Sequence, residues 1–402
     1  MSSVASSKMA VYMGRPRSGS MTASSRCTSS GVCSQHTPHE GQFPPATLDW
    51  PALIPLLGPA ASSVARYDGM LVAIPNPGVL LAPLTTQEAV LSSRIEGTEA
   101  TMGEVLEFEA GREAASPDRR DDIHEVLNYR AAMRAAENLL AELPLSQRVI
   151  REAHKVLLSG VRGQNRSPGE YRRVPNWIGP PGCTIEEAHF VPIGADRLPD
   201  AMSGWERYVH KEAPDRLVQL AILHAEFEAL HPFLDGNGRL GRMLVPLFLW
   251  QTGLIQRPMF YISAYFEARR DAYYERLLAV SRDHDWTGWC RFFLEAVRAQ
   301  AEDNLTKAKA ILDLYEGMKR RVAEMTRSQY AIHALDWIFG RPIFKSSDFV
   351  AAAGIPAPTA RRFLSVLRAG GVLKPLAAGR GRRAAVLAFP ALLNIAEGRE
   401  VL

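Results

Sequence analysis

Residues 231–242 read His-Pro-Phe-Leu-Asp-Gly-Asn-Gly-Arg-Leu-Gly-Arg, and they carry the side chains in this chain best suited to chemistry. An apolar helix ends at His231, and a glycine-rich connection leads into the next helix, which begins at Gly238. Free backbone N–H groups and the dipole at a helix N-terminus favour an anion. Gly236 and Gly238 let the backbone approach that anion closely, and Arg239 and Arg242 add positive charge. The spacing therefore predicts a phosphate cradle.

The same stretch holds the other groups that a nucleotide reaction needs. A triphosphate is bound together with Mg²⁺, and Asp235 offers the oxygen ligand that this cation prefers. His231, with an ordinary pKa of about 6.5, is suited to take a proton from an attacking hydroxyl at neutral pH. A purely structural interpretation also exists, because Asp-Gly-Asn-Gly is a common turn and a histidine at a helix end is often a cap or a core residue.

The whole pattern separates these interpretations, because eight of the twelve positions match the signature H-x-F-x-[DE]-G-N-G-R-x-x-R of the Fic family. The matching residues are His231, Phe233, Asp235, Gly236, Asn237, Gly238, Arg239 and Arg242. Members of this family move AMP from ATP onto a protein hydroxyl. The resemblance covers roughly residues 70–325. It implies a protein adenylyltransferase that acts on Tyr, Ser or Thr hydroxyls of target proteins and of itself.

The resemblance also implies a role for each residue of the signature. His231 takes the proton from the target hydroxyl, Phe233 anchors the loop in the core, and Asp235 holds Mg²⁺. ATP is the donor substrate, and a set of cradle residues binds its phosphates: Gly236, Asn237, Gly238, Arg239 and Arg242.

Residues 169–193 resemble the flap of this family, a β-hairpin that holds the target segment by strand addition. Two β-favouring pieces, 173–178 and 189–191, flank the turn formers at 179–182 and predict such a hairpin. The chain has Pro192-Ile193 where close relatives are expected to have Pro-Pro. The positioning of the target is therefore less defined by the sequence than the binding of ATP.

Tyr273 and Tyr274 resemble the pair that lines the adenosine pocket in this family. Two core aromatic residues on a helix would give the same pattern. The nucleotide itself is open at this point, because related sites transfer other phosphate-containing groups and nothing in the sequence excludes UTP or CTP.

A second motif, residues 92–97, resembles the inhibitory sequence [ST]-x-x-x-E-[GN] found in a subset of the family; its defined positions are Ser92, Glu96 and Gly97. The resemblance implies that Glu96 forms an ion pair with Arg242 and so removes this arginine from the γ-phosphate of ATP. A solvated helix end would also fit so short a pattern. Removal of AMP, with Glu96 positioning a water molecule, is a third activity that this pocket could support.

The hydrophobic pattern predicts a mainly α fold, and the resemblance implies a Fic-type helical bundle with a β-hairpin flap. The C-terminal part resembles a winged helix-turn-helix. We divide the chain into a disordered Ser-rich tail (1–42), an N-terminal region with the inhibitory helix (43–116), a catalytic domain (117–325) and a C-terminal domain (326–402). Within the second part, residues 48–111 are expected to be loop-rich apart from a helix over 85–95.

Residues 327–383 are strongly basic, with ten Lys or Arg against two Asp. A helix-turn-helix is predicted over 347–369, followed by a wing. Arg361, Arg362 and Arg368 lie on its second helix, and the wing contains Arg380, Arg382 and Arg383. Such arginines suit contact with DNA phosphates, although the same shape serves as a dimerisation or docking surface. A DNA-binding regulator with a nucleotide-sensing Fic domain is therefore the alternative function.

Composition sets the outer limits. A net charge of +4 on a chain of 402 residues is too small to indicate general electrostatic binding to nucleic acid or membranes. The four cysteines match no common zinc or disulfide spacing. No segment approaches the length of a membrane span or a signal sequence, so we expect a soluble, cytoplasmic protein without a membrane partner. A homodimer is expected from the resemblance alone.

Overall fold

The chain is built mainly from helices, which confirms the predicted fold class. The structure, a computed structural model, describes residues 10–13, 41–161, 164–180, 182–377 and 384–402. The helices are α1 (Trp50–Ala73), α2 (Pro77–Leu80), α3 (Ala82–Ile95), α4 (Met102–Glu109), α5 (Pro117–Leu140), α6 (Gln147–Leu157), α7 (Leu198–Val209), α8 (Arg216–Leu230), α9 (Asn237–Gln251), α10 (Ser263–Ala268), α11 (Arg270–Asp283), α12 (Trp286–Thr326), α13 (Ala331–Gly340), α14 (Ser346–Ala352), α15 (Ala357–Ala369) and α16 (Pro390–Glu397). The strands are β1 (Ala10–Met13), β2 (Asn176–Gly179), β3 (Ile343–Lys345), β4 (Lys374–Ala377) and β5 (Val386–Ala388), and a short 3-10 helix spans Ile185–Glu187.

Helix α1 lies where a loop-rich segment is expected, so that expectation is wrong for residues 50–73. Pro55 and Pro59 indicate breaks there, because proline removes a backbone donor and disfavours a helix interior. The helix packs along α12 all the same, and its buried side chains recur at helical spacing: Leu53, Ala60, Val64, Tyr67 and Leu71. Burial of this stripe outweighs the local cost of the prolines.

Two core helices, α8 and α9, hold the 231–236 loop between them. Asp215 caps α8 by accepting hydrogen bonds from the backbone N–H groups of Leu217 and Val218 at 2.8 and 2.9 Å. Almost all side chains of α8 are buried, and so are those of α9 from Asn237 to Leu249. A helix that is buried all round needs cover on every side, and α5, α7 and α12 supply it. The loop is therefore suspended between two firmly held helix ends.

Helix α12 connects the central bundle to the C-terminal segment. It packs against α1 and α8 and also against α13, α15 and α16. Its charged side chains leave it amphipathic, and in the part of the chain that the structure describes no helix is both long and apolar enough to cross a bilayer.

The flap differs from the predicted hairpin, because only its first arm is a strand. Strand β2 pairs with the second arm through a single antiparallel bridge, Ile178 to Phe190, and not through a strand over 189–191. Between the arms, Trp177 packs with Cys183 and Ala188 in a small cluster of its own. This local cluster and the 3-10 helix shape the flap where a regular ladder was expected.

Strand β1 comes from the segment expected to be disordered and pairs with β2 in antiparallel register. The structure thus differs from the expectation of disorder at residues 10–13, whereas residues 1–9 and 14–40 lie outside the described residues and the disordered tail stays a prediction. An open strand edge carries unpaired backbone groups, and a short extended segment can satisfy them.

The C-terminal segment contains α13, β3, α14, α15, β4, β5 and α16 in chain order. Its three strands form an antiparallel sheet in the order β3-β5-β4. Helices α14 and α15 flank a turn that contains Gly354 at φ 67°, where a helix-turn-helix is predicted. The naming of this segment as a winged helix stays a prediction.

The arginines that were assigned to DNA contact divide into three groups. Arg361 and Arg368 are exposed on α15. Arg362 is exposed as well, but it also donates to the carbonyl of Thr326 at 2.9 Å and lies over the ring of Phe363. The wing arginines, 380, 382 and 383, lie outside the described residues. Contact with DNA therefore stays a prediction with fewer free cations than the sequence indicates.

Candidate active site

The 231–236 loop begins and ends at residues with left-handed backbone. His231 terminates α8 at φ 45°, and Gly236 precedes α9 at φ 79°. A Cβ at Gly236 would lie 3.1 Å from Leu157 Cδ2, so both backbone conformation and space call for glycine there. Between them Phe233 is fully buried and stacks on His154 with ring centroids 3.8 Å apart. This is the burial expected of an anchor for the loop.

His154 of α6 is a residue of the site that the sequence analysis missed. The backbone N–H of Gly169 donates to its Nδ1 at 2.8 Å, and its Nε2 donates to the carbonyl of Asp235 at 3.1 Å. This arrangement needs a neutral ring, because a protonated Nδ1 would face a backbone donor. Burial lowers the pKa of His154 to about 4, so it is neutral at physiological pH. In the sequence it is only one member of the apolar face of α6.

Arg172 is the second missed residue, and it joins the flap to the loop. It is only 2% exposed. Its Nε donates to the carbonyl of His231 at 3.0 Å, and its Nη2 donates to the carbonyls of Ile193 at 2.5 Å and Leu230 at 3.3 Å. A buried guanidinium needs such partners, and here backbone carbonyls supply them, a fourth being that of Val174 at 3.5 Å from Nη1. Nothing in the surrounding Gly- and Pro-rich sequence separates Arg172 from its neighbour Arg173.

Asn237 has a different partner from the one expected. Its Oδ1 accepts from the backbone N–H of Phe233 at 2.8 Å, and its Nδ2 donates to the carbonyl of Phe233 at the same distance. Asn176 of β2 also donates to that carbonyl, at 3.1 Å. The Asn237 side chain therefore closes the loop on itself, and what it retains for a phosphate is its backbone N–H at the start of α9.

His231 has the geometry of a proton acceptor. Its Nδ1 lies 3.3 Å from the carbonyl of Glu228, to which it donates, and this leaves the lone pair on Nε2. Nε2 is buried and has no hydrogen-bond partner among the described residues. Burial, followed by the charge of Arg172, lowers the pKa of His231 to about 4. The ring is therefore neutral at pH 7 and able to accept a proton.

Asp235 and Arg239 form an ion pair across the first turn of α9. Asp235 Oδ1 lies 3.1 Å from Arg239 Nη2, and Glu125 Oε2 lies 3.7 Å from Arg239 Nη1. The Asp235 side chain is 41% exposed, so its carboxylate is open to a further ligand. Across the described ranges no cluster of three or more His, Cys, Asp or Glu could hold a metal ion. A cation at Asp235 would therefore need oxygen ligands from a bound phosphate, as the sequence analysis expects.

Arg242 is held by the end of α3. Its Nε donates to Ser92 Oγ at 2.9 Å, and its Nη2 donates to the Ser92 carbonyl at 2.8 Å and to Glu96 Oε1 at 2.7 Å. Arg242 is almost fully buried, whereas the Glu96 side chain is 32% exposed. The ion pair thus lies at the boundary between the core and solvent.

The carboxylate of Glu96 also lies against the first turn of α9. A Cβ at Gly238 would be 2.1 Å from Glu96 Oε1, so only glycine leaves room for this approach. Burial alone would raise the pKa of Glu96, but the charge and hydrogen bond of Arg242, helped by Arg239, hold it below its ordinary value. A carboxylate therefore occupies the helix N-terminus at which the sequence predicts a phosphate.

Gly97 ends α3 immediately after Glu96. Its φ of 97° is a conformation that side-chain-bearing residues rarely adopt. The backbone N–H of Gly97 donates to the carbonyl of Arg94 at 2.9 Å, and that of Thr98 donates to the carbonyl of Ser93 at 3.2 Å. The turn fixes where the helix stops and hence where Glu96 lies.

Comparison with known proteins identifies this arrangement. The profile described as the Fic/DOC family matches residues 144–249, and the Fic/DOC family N-terminal profile matches residues 54–138. Residues 54–138 and 144–249 of the chain therefore match the Fic/DOC family. The profiles together cover α3 with Glu96, the loop and Arg242.

Individual relatives match a smaller part of their length. The protein adenylyltransferase Fic of Drosophila grimshawi is 28% identical over 163 residues, which are 40% of this chain and 32% of that protein. The chain therefore spans about a third of the length of this curated relative. In fold it is similar to a Fic family protein from Desulfovibrio desulfuricans, with a TM-score of 0.55 at 23% identity over 86% of this chain and 98% of that one. A Fic domain containing signaling protein from Bacteroides thetaiotaomicron gives 0.51 at 19% identity over 63% and 96%.

The two tyrosines assigned to the adenosine pocket of the Fic domain lie in different surroundings. Tyr273 is 1% exposed, donates to His224 Nε2 at 2.9 Å and stacks on Phe266 at 4.5 Å. Tyr274 is half-buried, and its hydroxyl lies 3.5 Å from the carbonyl of Ile95. Tyr273 is thus a core residue in this structure, in which Glu96 binds Arg242. Of the two tyrosines, Tyr274 is the one whose hydroxyl lies at the end of α3. Their contact with adenosine stays a prediction.

Proposed function

We propose that this chain transfers AMP from ATP to Tyr, Ser or Thr hydroxyls of proteins, including its own, and that Glu96 holds it inactive. One observation carries the proposal. His231 presents a neutral, unpaired Nε2 in a Fic loop that is already formed, while Arg242 is bound by Glu96. His231 therefore needs no rearrangement to accept a proton, whereas Arg242, which we expect to bind the nucleotide, is bound to Glu96.

In the reaction, the target hydroxyl oxygen attacks the α-phosphorus of ATP, and the α–β phosphoanhydride bond breaks to release pyrophosphate. His231 Nε2 takes the hydroxyl proton. The N–H groups at the start of α9 and Arg239 hold the phosphates, so positioning and charge do most of the work. Asp235 would hold Mg²⁺, which supplies positive charge to the phosphate oxygens.

The regulated step is the exchange of partners at Arg242. The guanidinium can bind Glu96 or the γ-phosphate, because both ligands need the same N–H groups. About one third of the Glu96 side chain is exposed, so solvent weakens its ion pair with Arg242. This interaction is therefore of moderate strength. We propose that the γ-phosphate enters when Glu96 leaves.

The flap is where we place the target. Residues 169–193 connect to the loop through Arg172 and Asn176, and β2 can accept an extended segment. We also propose a cytoplasmic location, a homodimer and contact of Arg361 and Arg368 with DNA as expectations from the sequence.

The test is a comparison of wild type with Glu96→Gly, and with Glu99→Gly as the control for loss of a nearby exposed carboxylate. Each protein is incubated with ATP, CTP, GTP or UTP and Mg²⁺, and intact mass is measured. We expect a mass gain equal to AMP in Glu96→Gly and little in the other two. Label from α-³²P-ATP, but not from γ-³²P-ATP, should remain on the protein. If no nucleotide adds mass to Glu96→Gly, the proposed function is wrong.

Removal of AMP is the second candidate, because the Glu96 carboxylate is close enough to His231 to affect its pKa. Such a pair could orient and activate water. AMP-labelled Glu96→Gly, freed of ATP, is mixed with unlabelled wild type. Release of label by wild type but not by Glu96→Gln would favour this activity.

A further inference from the structure

Strand β1 occupies one edge of the flap. Residues 10–13 pair in antiparallel register with β2, with Ala10 opposite Gly179 and Met13 opposite Asn176. The other edge of β2 is occupied at Ile178, which exchanges backbone hydrogen bonds with Phe190 at 2.9 and 3.2 Å. The chain therefore supplies its own extended segment to the edge of the flap that the flap itself leaves open.

The pairing also shows which backbone groups join β1 to β2. In an antiparallel pair the N–H and C=O of one residue point to the same side, and successive residues alternate. Since Ile178 directs both groups to Phe190, its neighbours Trp177 and Gly179 direct theirs to β1. The positions opposite them are 12 and 10. Tyr12 therefore takes part in the ladder through its backbone, and Val11 does not.

This edge leads to the catalytic residues. Asn176, at the first position of β2, donates to the carbonyl of Phe233 in the 231–236 loop. Position 13 lies opposite Asn176, so β1 reaches the loop at its C-terminal end. A target segment added to the flap would need the same backbone groups that β1 uses.

The register decides which positions of β1 face the loop. Opposite residues of an antiparallel pair share a face, and successive residues alternate. Asn176 lies on the face of the loop, so positions 13 and 11 share that face, whereas position 12 shares the face of Trp177, in the flap cluster. Positions 11 and 13 are Val and Met, which have no hydroxyl. The one hydroxyl-bearing residue of β1, Tyr12, belongs to the other face.

We propose that residues 10–13 act as an intramolecular pseudosubstrate, which occupies the edge of the flap where a target segment would pair and carries no hydroxyl-bearing residue at the two register positions, 11 and 13, that share a face with Asn176. This inference rests on the proposed adenylyltransferase function. It adds a second restraint that acts on the target, whereas Glu96 acts on the nucleotide. A four-residue strand is weak enough to be displaced, yet its attachment to the chain keeps its effective concentration high.

The first test uses the full chain carrying Glu96→Gly and a synthetic peptide of residues 6–17 with Met13→Tyr as the probe. Tyr12→Pro removes a ladder N–H, whereas Val11→Pro puts proline at a position whose N–H faces away from β2 and is the matched control. If β1 occupies the edge about nine-tenths of the time, its release should lower the apparent KM for the peptide about 10-fold with kcat unchanged. Equal KM values for the three proteins would overturn the proposal.

The second test places a hydroxyl on the face of the loop. In the Glu96→Gly chain without peptide, Met13→Tyr should increase self-labelling from α-³²P-ATP several-fold, with the new AMP at position 13 in peptide mapping. Label on Tyr12 of the unsubstituted strand would overturn the pseudosubstrate assignment, because it would make β1 a substrate. If the Glu96→Gly chain labels neither itself nor the peptide, the adenylyltransferase function has failed. If labelling occurs but ignores all changes in β1, only this inference has failed.

Discussion

The 231–236 loop and the end of α3 meet at the same helix N-terminus but are held in different ways. The loop is fixed by buried contacts from His154, Arg172 and Asn237. The contact between the end of α3 and Arg242 runs through a carboxylate that is one-third exposed. We therefore expect activation to require displacement of the Glu96 carboxylate and no rebuilding of the loop.

The two regions also differ in charge. His154 and His231 in and beside the loop are buried and neutral, with pKa values lowered to about 4. Glu96 and Arg242 are both charged, because each holds the other in its ionised form. Acid should therefore affect the stability of the loop before it affects the restraint.

The largest effect should come from the loop itself. In the Glu96→Gly background, His231→Ala should reduce AMP transfer by about 10²- to 10⁴-fold, because it removes the Nε2 lone pair that we assign to the hydroxyl proton. Binding of ATP should persist, since the phosphate-binding groups remain. Labelling kinetics and nucleotide titration measure the two effects. His210→Ala, an exposed histidine at the end of α7, is the control. Transfer within 10-fold of the parent would refute the base assignment.

The next effect tests whether the loop is fixed by its buried supports. Arg172→Met removes the donor to the carbonyls of His231 and Ile193, so the base should shift and kcat should fall about 10- to 100-fold in the Glu96→Gly background. The adjacent Arg173→Met, at an exposed position, should leave kcat unchanged. Equal rates for both variants would show that the loop keeps its shape without this contact.

The pH dependence of unfolding tests the neutral charge state. Folding lowers the pKa of His154 and His231 to about 4 and that of His224 to about 3. Below pH 6.5 these histidines therefore become protonated in the unfolded chain while they stay neutral in the folded chain. Their contribution to stability is present at neutral pH and is lost as the pH falls. Each of the three histidines should lower the free energy of unfolding by about 1.4 kcal/mol when the pH is reduced from 7.5 to 5.5.

Urea unfolding of wild type and His231→Gln at both pH values isolates one of these groups. The loss of stability on acidification should be smaller by about 1.4 kcal/mol in His231→Gln, because this side chain does not titrate. An identical loss in the two proteins would mean that folding does not lower the pKa of His231.

The smallest effect should come from a partial loss of the restraint. Ser92→Ala removes the acceptor for Arg242 Nε but leaves Glu96 in place, so basal AMP transfer should rise about 3-fold, less than for Glu96→Gly. Ser93→Ala is the matched control, because the Ser93 hydroxyl is buried and has no hydrogen-bond partner among the described residues. A larger rise for Ser92→Ala than for Glu96→Gly would reverse the assigned order of the two contacts.

Local spacing was sufficient to predict the helices on either side of the loop, whereas the phosphate cradle and the role of His231 as base stay predictions. The roles within residues 231–242 depend on one helix end followed by one helix start, and a short sequence encodes both. The 92–97 motif was predicted through resemblance, and the structure places Glu96 on Arg242 across 146 residues.

The supports of the site depended on tertiary packing. His154 and Arg172 contact the loop from 81 and 59 residues away, and neither stands out from its neighbours in the sequence. Helix α1 forms in spite of its prolines because α12 covers its apolar stripe, and β1 forms because β2 has an open edge. Motifs within one or two helical turns can be predicted from spacing, but contacts between distant segments depend on which surfaces the fold brings together.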